Sequence, residues 1–412
     1  MKTKILFTTL FLALLSSSCI KDKGYKTYTI SRPEYSVKSG VKEGAKLQEP
    51  QALKNPGSFV LYNTTMYINE KNKGIHVIDY RNPTSPVNKG FVPIPGNLGI
   101  SLNNGVLYAD CYCDLFVFKL LADQTIQFQN SVPNTFLTRM QTFNYDTNYV
   151  TLNWIKKDTT VSVDDYMRIH NYGTNSDGIQ HFSANANSNN NPPRGTSVGS
   201  SMAVFTIVND HLYTVDNSNL HAFSLADALH PTLESKQHVN WNVETIFPFK
   251  NKLFIGSMSG MYIFSTDNPS QPTYISQFNH VTVCDPVIAD ERFAFVTLRS
   301  GNSCGGFTNQ MDVLNIETIT NPVLVKSFPF TNPHGLSKDG NVLFVCDGQA
   351  GLKIVDATDI NALTLKQTLP VGKAIDVIAY KQLAFVMLEN AIQIYSYDQQ
   401  FNVQLLSTIN KN

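Results

Sequence analysis

The sequence predicts an all-β chain folded into a β-propeller of seven four-stranded blades with one irregular insertion. Two observations support this prediction: a composition that favours strands and a hydrophobic pattern that recurs about every forty residues. Aromatic residues make up 11% of the 412 residues, and charged residues only 16%. Tyr, Phe and Thr fit pleated sheets well, whereas the Ala-, Glu-, Lys- and Leu-rich runs of helices are scarce.

The repeating unit has an aromatic-rich strand, a turn, a hydrophobic strand closing in Asp or a substitute, an Asn-Pro turn and a last strand. Its first copy is MYINEKNKGIHVIDYRNPTSPVNKGFVPIPG, residues 66–96. The aromatic-rich strands align on Tyr67, Tyr108, Tyr213, Phe254, Phe295, Phe344 and Phe385, with spacings of 41, 105, 41, 41, 49 and 41 residues. A period near forty made only of strands is typical of propeller blades. A single blade cannot bury both of its faces, so the ring must close.

Two spacings exceed the period. A loop from Arg299 to Gln310 explains the spacing of 49, and the spacing of 105 holds one blade plus an insertion at about residues 135–198. The first part of this insertion, FLTRMQTFNYDTNYVTLNWIKKD, is compatible with strands of a degenerate eighth blade. The second part is rich in Asn, Ser, Gly and Pro and predicts a mobile loop. Eight or six blades stay open as alternatives on this evidence.

The N-terminus predicts export. Lys2 and Lys4 precede the apolar segment ILFTTLFLALL, residues 5–15, which is too short to span a bilayer as a helix. Three serines and Cys19 follow, so residues 1–18 are interpreted as a lipoprotein signal peptide and Cys19 as the lipidated residue. Leu15 lies one position further from the Cys than usual, and an ordinary cleaved signal with an incidental Cys is the alternative.

The location expected from this signal is the cell envelope, as an outer-membrane lipoprotein that is potentially surface-exposed and held by its acyl chains. Residues 19–56 are polar and Lys-rich and predict a lipidated N-terminus and tether, part of which can pack along the propeller edge. The propeller is assigned to residues 57–412. Lys and Arg together number 32, and so do Asp and Glu together. The chain therefore has no excess of positive charge that would favour nucleic acid as a partner.

The segments GIHVIDYRNPTSPVNKG and GLKIVDATDI resemble the LVIVD repeat, a hydrophobic strand closing in Asp before an Asn-Pro turn. Together with the N-terminal signal and the stretch DPVIADERFAFVTLRSGNSCGG, they resemble a family of uncharacterised lipoproteins from Bacteroidetes-type bacteria. The resemblance covers most of residues 57–398. It implies a propeller at the cell surface and no catalytic residues. We interpret Asp79, Asp267 and Asp356 as residues that hold the turns through bonds from backbone N–H groups.

Five cysteines lie beyond Cys19. In a four-stranded blade, the start of the innermost strand and the loop between the second and third strands lie at the same end. Cys284 and Cys304 occupy these two positions of one blade, which predicts a disulfide between them. Cys111 and Cys113 share one face of a strand and are poorly oriented to pair, with metal binding as their alternative role. Cys346 is expected to be a buried thiol.

The same end of the propeller carries a candidate ligand site. Ionisable residues stand near the start of the innermost strand in four successive blades: Glu244, Asp285, His334 and Asp376. Arg299 and the Gly-rich loop after it lie at the same end. Such a cluster suits a polar ligand, such as a sugar, a peptide or Ca²⁺. Solvated turn residues are the simpler interpretation of the same pattern.

Two functional hypotheses follow. The first is a binding or scaffold propeller that presents its loops to an envelope protein or a glycan, with no cofactor and no catalysis. The second is an envelope enzyme acting on a polysaccharide or related polymer, with the acidic cluster as acid and base. P-loop and HExxH motifs are missing from the sequence, which favours the first hypothesis.

Overall fold

The computed structural model describes residues 24–121, 125–136, 149–165, 198–279, 286–300 and 308–411. Cys19 and the proposed signal peptide therefore lie outside the described residues. The chain divides into two compact units, one of residues 1–35 and 153–179, the other of residues 36–152 and 180–412. None of the helices in the described ranges is long and apolar enough to cross a bilayer.

The elements before the third blade are, in chain order, β1 (Tyr25–Val37), α1 (Lys38–Gly44), β2 (Pro56–Tyr62), β3 (Thr65–Glu70), β4 (Gly74–Asp79), β5 (Val87–Pro93), β6 (Ile100–Asn103), β7 (Val106–Cys111), β8 (Asp114–Leu120), β9 (Ile126–Val132), β10 (Tyr149–Ser162) and β11 (Val198–Gly199). Strands β2–β5 form blade 1 and β6–β9 form blade 2.

The remaining strands are β12 (Phe205–Val208), β13 (His211–Val215), β14 (Asn219–Ser224), β15 (Thr232–His238), β16 (Val243–Phe249), β17 (Lys252–Ser257), β18 (Gly260–Ser265), β19 (Thr273–Asn279), β20 (Val287–Ala289), β21 (Phe293–Leu298), β22 (Gln310–Asn315), β23 (Val323–Pro329), β24 (Leu336–Asp339), β25 (Val342–Cys346), β26 (Leu352–Asp356), β27 (Thr364–Leu369), β28 (Ala374–Tyr380), β29 (Leu383–Leu388), β30 (Ala391–Tyr397) and β31 (Val403–Asn410). Taken four at a time, β12–β31 form blades 3 to 7.

The prediction of seven four-stranded antiparallel blades is confirmed, and the alternatives of eight and six are set aside. We call the four strands of each blade A to D, from the inside outward. All seven aligned aromatic residues lie on the B strand and are buried. The innermost strands of neighbouring blades contact each other, and apolar side chains of adjacent blades share clusters, such as those that span blades 2 to 4 and blades 4 to 6.

The ring closes without a strand shared between the chain ends, because blades 1 and 7 each consist of four consecutive strands. Their facing sides share one apolar cluster that includes Phe59 and Ile378. The rings of Tyr80 and Phe385 meet edge to face at 4.7 Å. At the outer edge, Ser407 Oγ donates to the carbonyl of Pro83 at 2.7 Å.

A short segment, Val198–Val204, enters the centre of the ring. β11 pairs with β2 and thereby adds a fifth, innermost strand to blade 1. The amide of Leu336 in blade 6 donates to Ser201 Oγ at 2.8 Å, and the amide of Ile246 in blade 4 donates to the carbonyl of Ala203 at 2.7 Å. This segment, which we call the axial segment, joins innermost strands from blades on different sides of the ring and fills its centre.

The stretch expected to be a tether contains ordered elements from residue 24 onward. Helix α1 buries Val41, Leu53 is also buried, and Gln48 forms a β-bridge to Phe91 on the outer strand of blade 1. Lys38 forms an ion pair with Asp114 at 2.7 Å. Residues 38–53 therefore pack on the propeller edge because they carry apolar residues at intervals that the overall polarity of the stretch conceals.

The other unit contains most of a two-stranded sheet formed by β1 and β10. Thr27 and Thr160 share a hydrogen bond between hydroxyls at 2.8 Å, and Thr29 Oγ1 donates to Asp158 at 2.7 Å. The first half of the predicted insertion thus contributes a long strand to this pair. Its residues 149–162 lie in this pair and not in a blade.

Candidate functional site

The B–C turns and the connections leading into the A strands lie at one end of the propeller, which we call the mouth. The chain order of the strands fixes this arrangement, since the strands of each sheet alternate in direction. Residues of blades 1, 5, 6 and 7 meet at the mouth above the axial segment. Two of the residues predicted from sequence, Arg299 and His334, are in direct contact there.

His334 is buried just before the A strand of blade 6. Its Nδ1 atom lies 2.9 Å from Nη1 of Arg299, and its Nε2 atom lies 2.8 Å from Oδ1 of Asn332. Arg299 must donate, so Nδ1 accepts and Nε2–H donates to Asn332, an assignment based on these partners. Burial and the neighbouring cations lower the pKa of His334 to about 3. The imidazole is therefore neutral, and its contact with Arg299 leaves the guanidinium charge in place.

Lys71, in the B–C turn of blade 1, joins the same cluster. Burial is the main cause of the lowered pKa of Lys71, with repulsion from Arg299 and Lys411 next. The attraction of Asp376 and Glu70 opposes these effects. The mouth thus holds like charges from different blades close enough to repel one another, which costs free energy.

Asp376 lies below these cations at the inner wall of blade 7. Its Oδ1 atom accepts from the amide of Val377 at 2.9 Å and from the hydroxyl of Ser201 at 3.4 Å. Burial raises the pKa of Asp376 to about 7, although Ser200, the Val377 amide, Ser201 and Lys71 favour the charged form. A Cβ atom on Gly335 would lie 2.1 Å from Oδ1 of Asp376, so the neighbouring blade needs glycine at this position.

Two further lysines stand at the edge of the cluster. Lys373 pairs with Glu389 at 2.6 Å, and Lys411 donates to the carbonyl of Glu389. Hydrogen bonding to Lys373 lowers the pKa of Glu389. We call Lys71, Arg299, Lys373 and Lys411 the cationic cluster. Glu70 and Glu389 beside it are engaged by neighbouring groups.

The predicted alignment of strand starts needs one correction. Asp376 pairs with Met387, two residues after the aligned aromatic of blade 7, and the equivalent residue in blade 4 is Thr245, which pairs with Gly256. Asp376 therefore corresponds to Thr245 and not to Glu244. Both strands carry a bulge at the same place, and the misalignment arises because Glu244 lies ten residues before Phe254 whereas Asp376 lies nine before Phe385. A shift of one residue turns a side chain to the other face, so Asp376 is buried while Glu244 is half-buried.

Several predicted residues lie outside the described residues: Asp285, and both members of the predicted Cys284–Cys304 disulfide. Within the described ranges, no group of three His, Cys, Asp or Glu side chains is arranged to hold a metal ion. Cys111, Cys113 and Cys346 are buried free thiols. Burial raises the pKa of Cys113 to about 11 and that of Cys346 well above its ordinary value, so both are poor nucleophiles at neutral pH.

Sequence reasoning missed Lys71 and a repeated carboxylate at the end of the B strand. Glu70, Asp110 and Asp347 each accept hydrogen bonds from two consecutive backbone N–H groups just before the A strand of the same blade. We call these three residues the carboxylate fasteners. Their signal in the sequence is an acidic residue two or three positions after the aligned aromatic, as in MYINE, LYAD and LFVCD.

Comparisons with known proteins agree with this architecture. The LVIVD repeat matches residues 61–93 and 335–369, which span most of blade 1 and of blade 6. The chain therefore contains LVIVD repeats, as the sequence resemblance predicted. A search of curated proteins gave no match.

Solved structures share the fold over most of the chain. A protein from Lactobacillus plantarum has a TM-score of 0.56 at 12% identity, covering 86% of this chain and 96% of its own. The periplasmic gluconolactonase of Pseudomonas aeruginosa has a TM-score of 0.55 at 10% identity, with the same two coverages. The computationally designed protein Ika8 has a TM-score of 0.53 at 8% identity, covering 90% and 91%. At these identities the similarity concerns the fold alone.

Proposed function

We propose that this chain is an envelope binding propeller, anchored through a lipid on Cys19, whose mouth receives an acidic group of a protein or glycan partner. One observation carries the proposal. Lys71 and Arg299, from blades on different sides of the ring, are held within electrostatic range of each other at the mouth. A carboxylate bound between them would relieve this repulsion.

The surroundings of the two cations support this function. Neutral His334 orients Arg299 without cancelling its charge, and a guanidinium can bind a carboxylate through two parallel hydrogen bonds. The axial segment lies beneath the cluster, and Ser200 and Ser201 are fully buried. The site therefore has a floor of packed protein, and a ligand would enter from the mouth alone.

The test measures binding of tetragalacturonate, an oligosaccharide with four carboxylates, to the purified full chain by calorimetry. We expect Lys71→Ala/Arg299→Ala to weaken binding at least tenfold. Lys236→Ala/Lys326→Ala, which removes two lysines from the outer strands β15 and β23, is the matched control and should bind as the parent does. Equal affinities for all three proteins would contradict the proposal.

The same oligosaccharide can also be used to test the enzyme hypothesis. Asp376 is a buried carboxyl whose pKa of about 7 would suit general acid–base catalysis. Incubation of the full chain with tetragalacturonate or glucono-lactone, followed by chromatography, should return the compounds unchanged beyond their spontaneous hydrolysis. Product formation that disappears in Asp376→Asn would replace the binding function with catalysis.

Lipid anchoring has its own test. Cys19→Ala should move the protein from the membrane fraction to the soluble fraction of the producing cells, because the acyl chains would be missing. Unchanged partitioning would contradict the anchor without affecting the proposal for the mouth.

A further inference from the structure

Trp241 stands on the mouth in the connection that leads into blade 4, and 70% of its surface is exposed. It is one of two tryptophans in the chain. Tryptophan carries a large apolar surface that soluble proteins generally cover. An indole that is exposed on the face where ligands enter is therefore a candidate contact for a ligand.

The connection that carries Trp241 is held from both sides. Towards blade 3, the amides of Val239 and Val243 donate to the carbonyls of Ser218 and Asn217 at 2.9 and 3.0 Å. The backbone of residues 239–243 is thus fixed to the B–C turn of the preceding blade. An exposed side chain on such a connection loses little backbone freedom when a ligand binds.

Towards blade 4, the connection is held by a second set of contacts. Asn240 Nδ2 donates to Ser259 Oγ at 2.9 Å, and its Oδ1 accepts from the amide of Trp241 at 2.7 Å. The amide of Met258 donates to the carbonyl of Asn242 at 3.2 Å. The B–C turns of both flanking blades therefore support the indole, so the exposed ring stands on a rigid base.

The groups around the ring indicate the chemistry of the ligand. His238 lies edge-on to the indole at 6.0 Å. The connection and the adjoining turn also carry the amides of Asn240 and Asn242, the hydroxyl of Ser259 and the half-buried side chain of Met258, whose Sδ atom accepts from Asn242 Nδ2. A protein-docking tryptophan is generally surrounded by a larger apolar area. A single aromatic face bordered by amides and hydroxyls instead matches a sugar ring, which has an apolar C–H face and a rim of hydroxyl groups.

We propose that Trp241 is a stacking platform for a saccharide ring, so that the acidic ligand of the mouth is a glycan with carboxylate groups. This inference rests on the proposed function, because it takes the mouth as the place where the acidic groups bind. Lys71 and Arg299 recognise the charge, and Trp241 recognises the ring of another sugar unit.

The experiment uses the full chain with Trp154→Phe, which leaves Trp241 as the only indole. Tetragalacturonate and maltotetraose, an acidic and a neutral oligosaccharide of equal length, should each change the indole emission saturably, the neutral one more weakly. Calorimetry should show at least a tenfold loss of affinity for tetragalacturonate in Trp241→Ala and retention of most affinity in Trp241→Tyr. Tyr274→Ala, which removes an exposed aromatic on the outer strand β19, is the control and should bind as the parent does.

The outcomes separate this inference from the proposed function. If Lys71→Ala/Arg299→Ala weakens tetragalacturonate binding and Trp241→Ala does not, the platform is overturned and the cationic mouth stands. If Lys71→Ala/Arg299→Ala has no effect while the indole still responds to both sugars, the platform stands and the cationic mouth fails. An indole response to polyglutamate and to neither sugar would overturn the platform in favour of a protein partner.

Discussion

Blades 1, 2 and 6 differ from blades 5 and 7 at the end of the B strand. In the first group the carboxylate fasteners Glu70, Asp110 and Asp347 hold the connection into the same blade through backbone N–H groups. In the second group the residue three positions after the aligned aromatic is Leu298 or Leu388. The next residues there are Arg299 and Glu389, which belong to the charged cluster of the mouth.

This difference shows that two kinds of acidic residue occupy the same end of the propeller. A fastener has its hydrogen-bonding capacity used by backbone N–H groups, so it stabilises a connection and is poorly suited to bind a ligand. Where leucine stands in place of a fastener, the end of the B strand has no carboxylate at this position to hold the connection into the blade. Both blades with leucine at this position, blades 5 and 7, contribute residues to the cationic cluster.

The largest effect is expected from removing a fastener. Asp110 is fully buried, and its Oδ1 accepts from the amides of Leu98 and Gly99 and from Asn97 Nδ2, each at 2.8 Å. Asp110→Ala would leave these donors without their acceptor and should lower the free energy of unfolding by about 3–5 kcal/mol. Urea denaturation measures the loss. Asp110→Asn keeps an acceptor oxygen and should lose less than half as much; a loss below about 1 kcal/mol in Asp110→Ala would contradict the role of the fasteners.

A smaller effect is expected from Asp376, whose carboxylate has one backbone donor instead of two. Its pKa is about 7 in the folded chain against 3.8 as the ordinary value, so between about pH 4 and pH 7 the folded state binds a proton that the unfolded state does not. The free energy of unfolding should therefore fall as pH rises through this window, by about 2–4 kcal/mol.

The check compares urea denaturation of the parent and of Asp376→Asn at pH 4.5 and pH 7.5. The asparagine cannot ionise, so the variant should show a smaller fall in unfolding free energy between the two pH values. Equal falls in both proteins would mean that Asp376 is ionised throughout and does not contribute to the pH dependence.

The smallest effect is expected from an acidic residue at the opposite end of the same architecture. Asp356 ends the C strand of blade 6, where its Oδ1 accepts from the amide of Thr358 at 2.9 Å and its Oδ2 lies 3.0 Å from Lys366. The turn is open to solvent, so water can replace the lost acceptor. Asp356→Ala should change the unfolding free energy by less than about 1 kcal/mol. If Asp356→Ala lowered the unfolding free energy as much as Asp110→Ala does, the size of the loss would depend on the residue type and not on burial.

The fold was predictable because the sequence pattern that specifies a blade occurs seven times. Seven buried aromatics at nearly constant spacing identify the B strands, and the turn carboxylates Asp79 and Asp356 accept from backbone N–H groups as expected. Asp267 does not fit this pattern: its carboxylate engages side chains of Ser265 and Lys252, and Ser265 occupies the equivalent position at the end of the C strand.

The mouth was predictable only in part, because its decisive features are single residues. The contact between Arg299 and His334 follows from the chain topology, and the sequence placed both residues at the correct end. Lys71 in EKNKG has the surroundings of any solvated turn lysine, so only the ring geometry shows its burial. The register of Asp376 could have been predicted, because it lies nine residues before its aligned aromatic residue whereas Glu244 lies ten before the corresponding one.

The axial segment has a consequence for the order in which the molecule can fold. Ser201 bonds to partners 135 and 175 residues further along the chain, in blades 6 and 7. Contacts of such long separation form late, since the intervening chain must first be brought together. The centre of the ring, and with it the packed protein beneath the cationic cluster, can therefore be completed only after the C-terminal blades have formed and joined the N-terminal ones. A chain truncated before residue 376 would lack both the contact of Ser201 with blade 7 and the A strand that closes the ring.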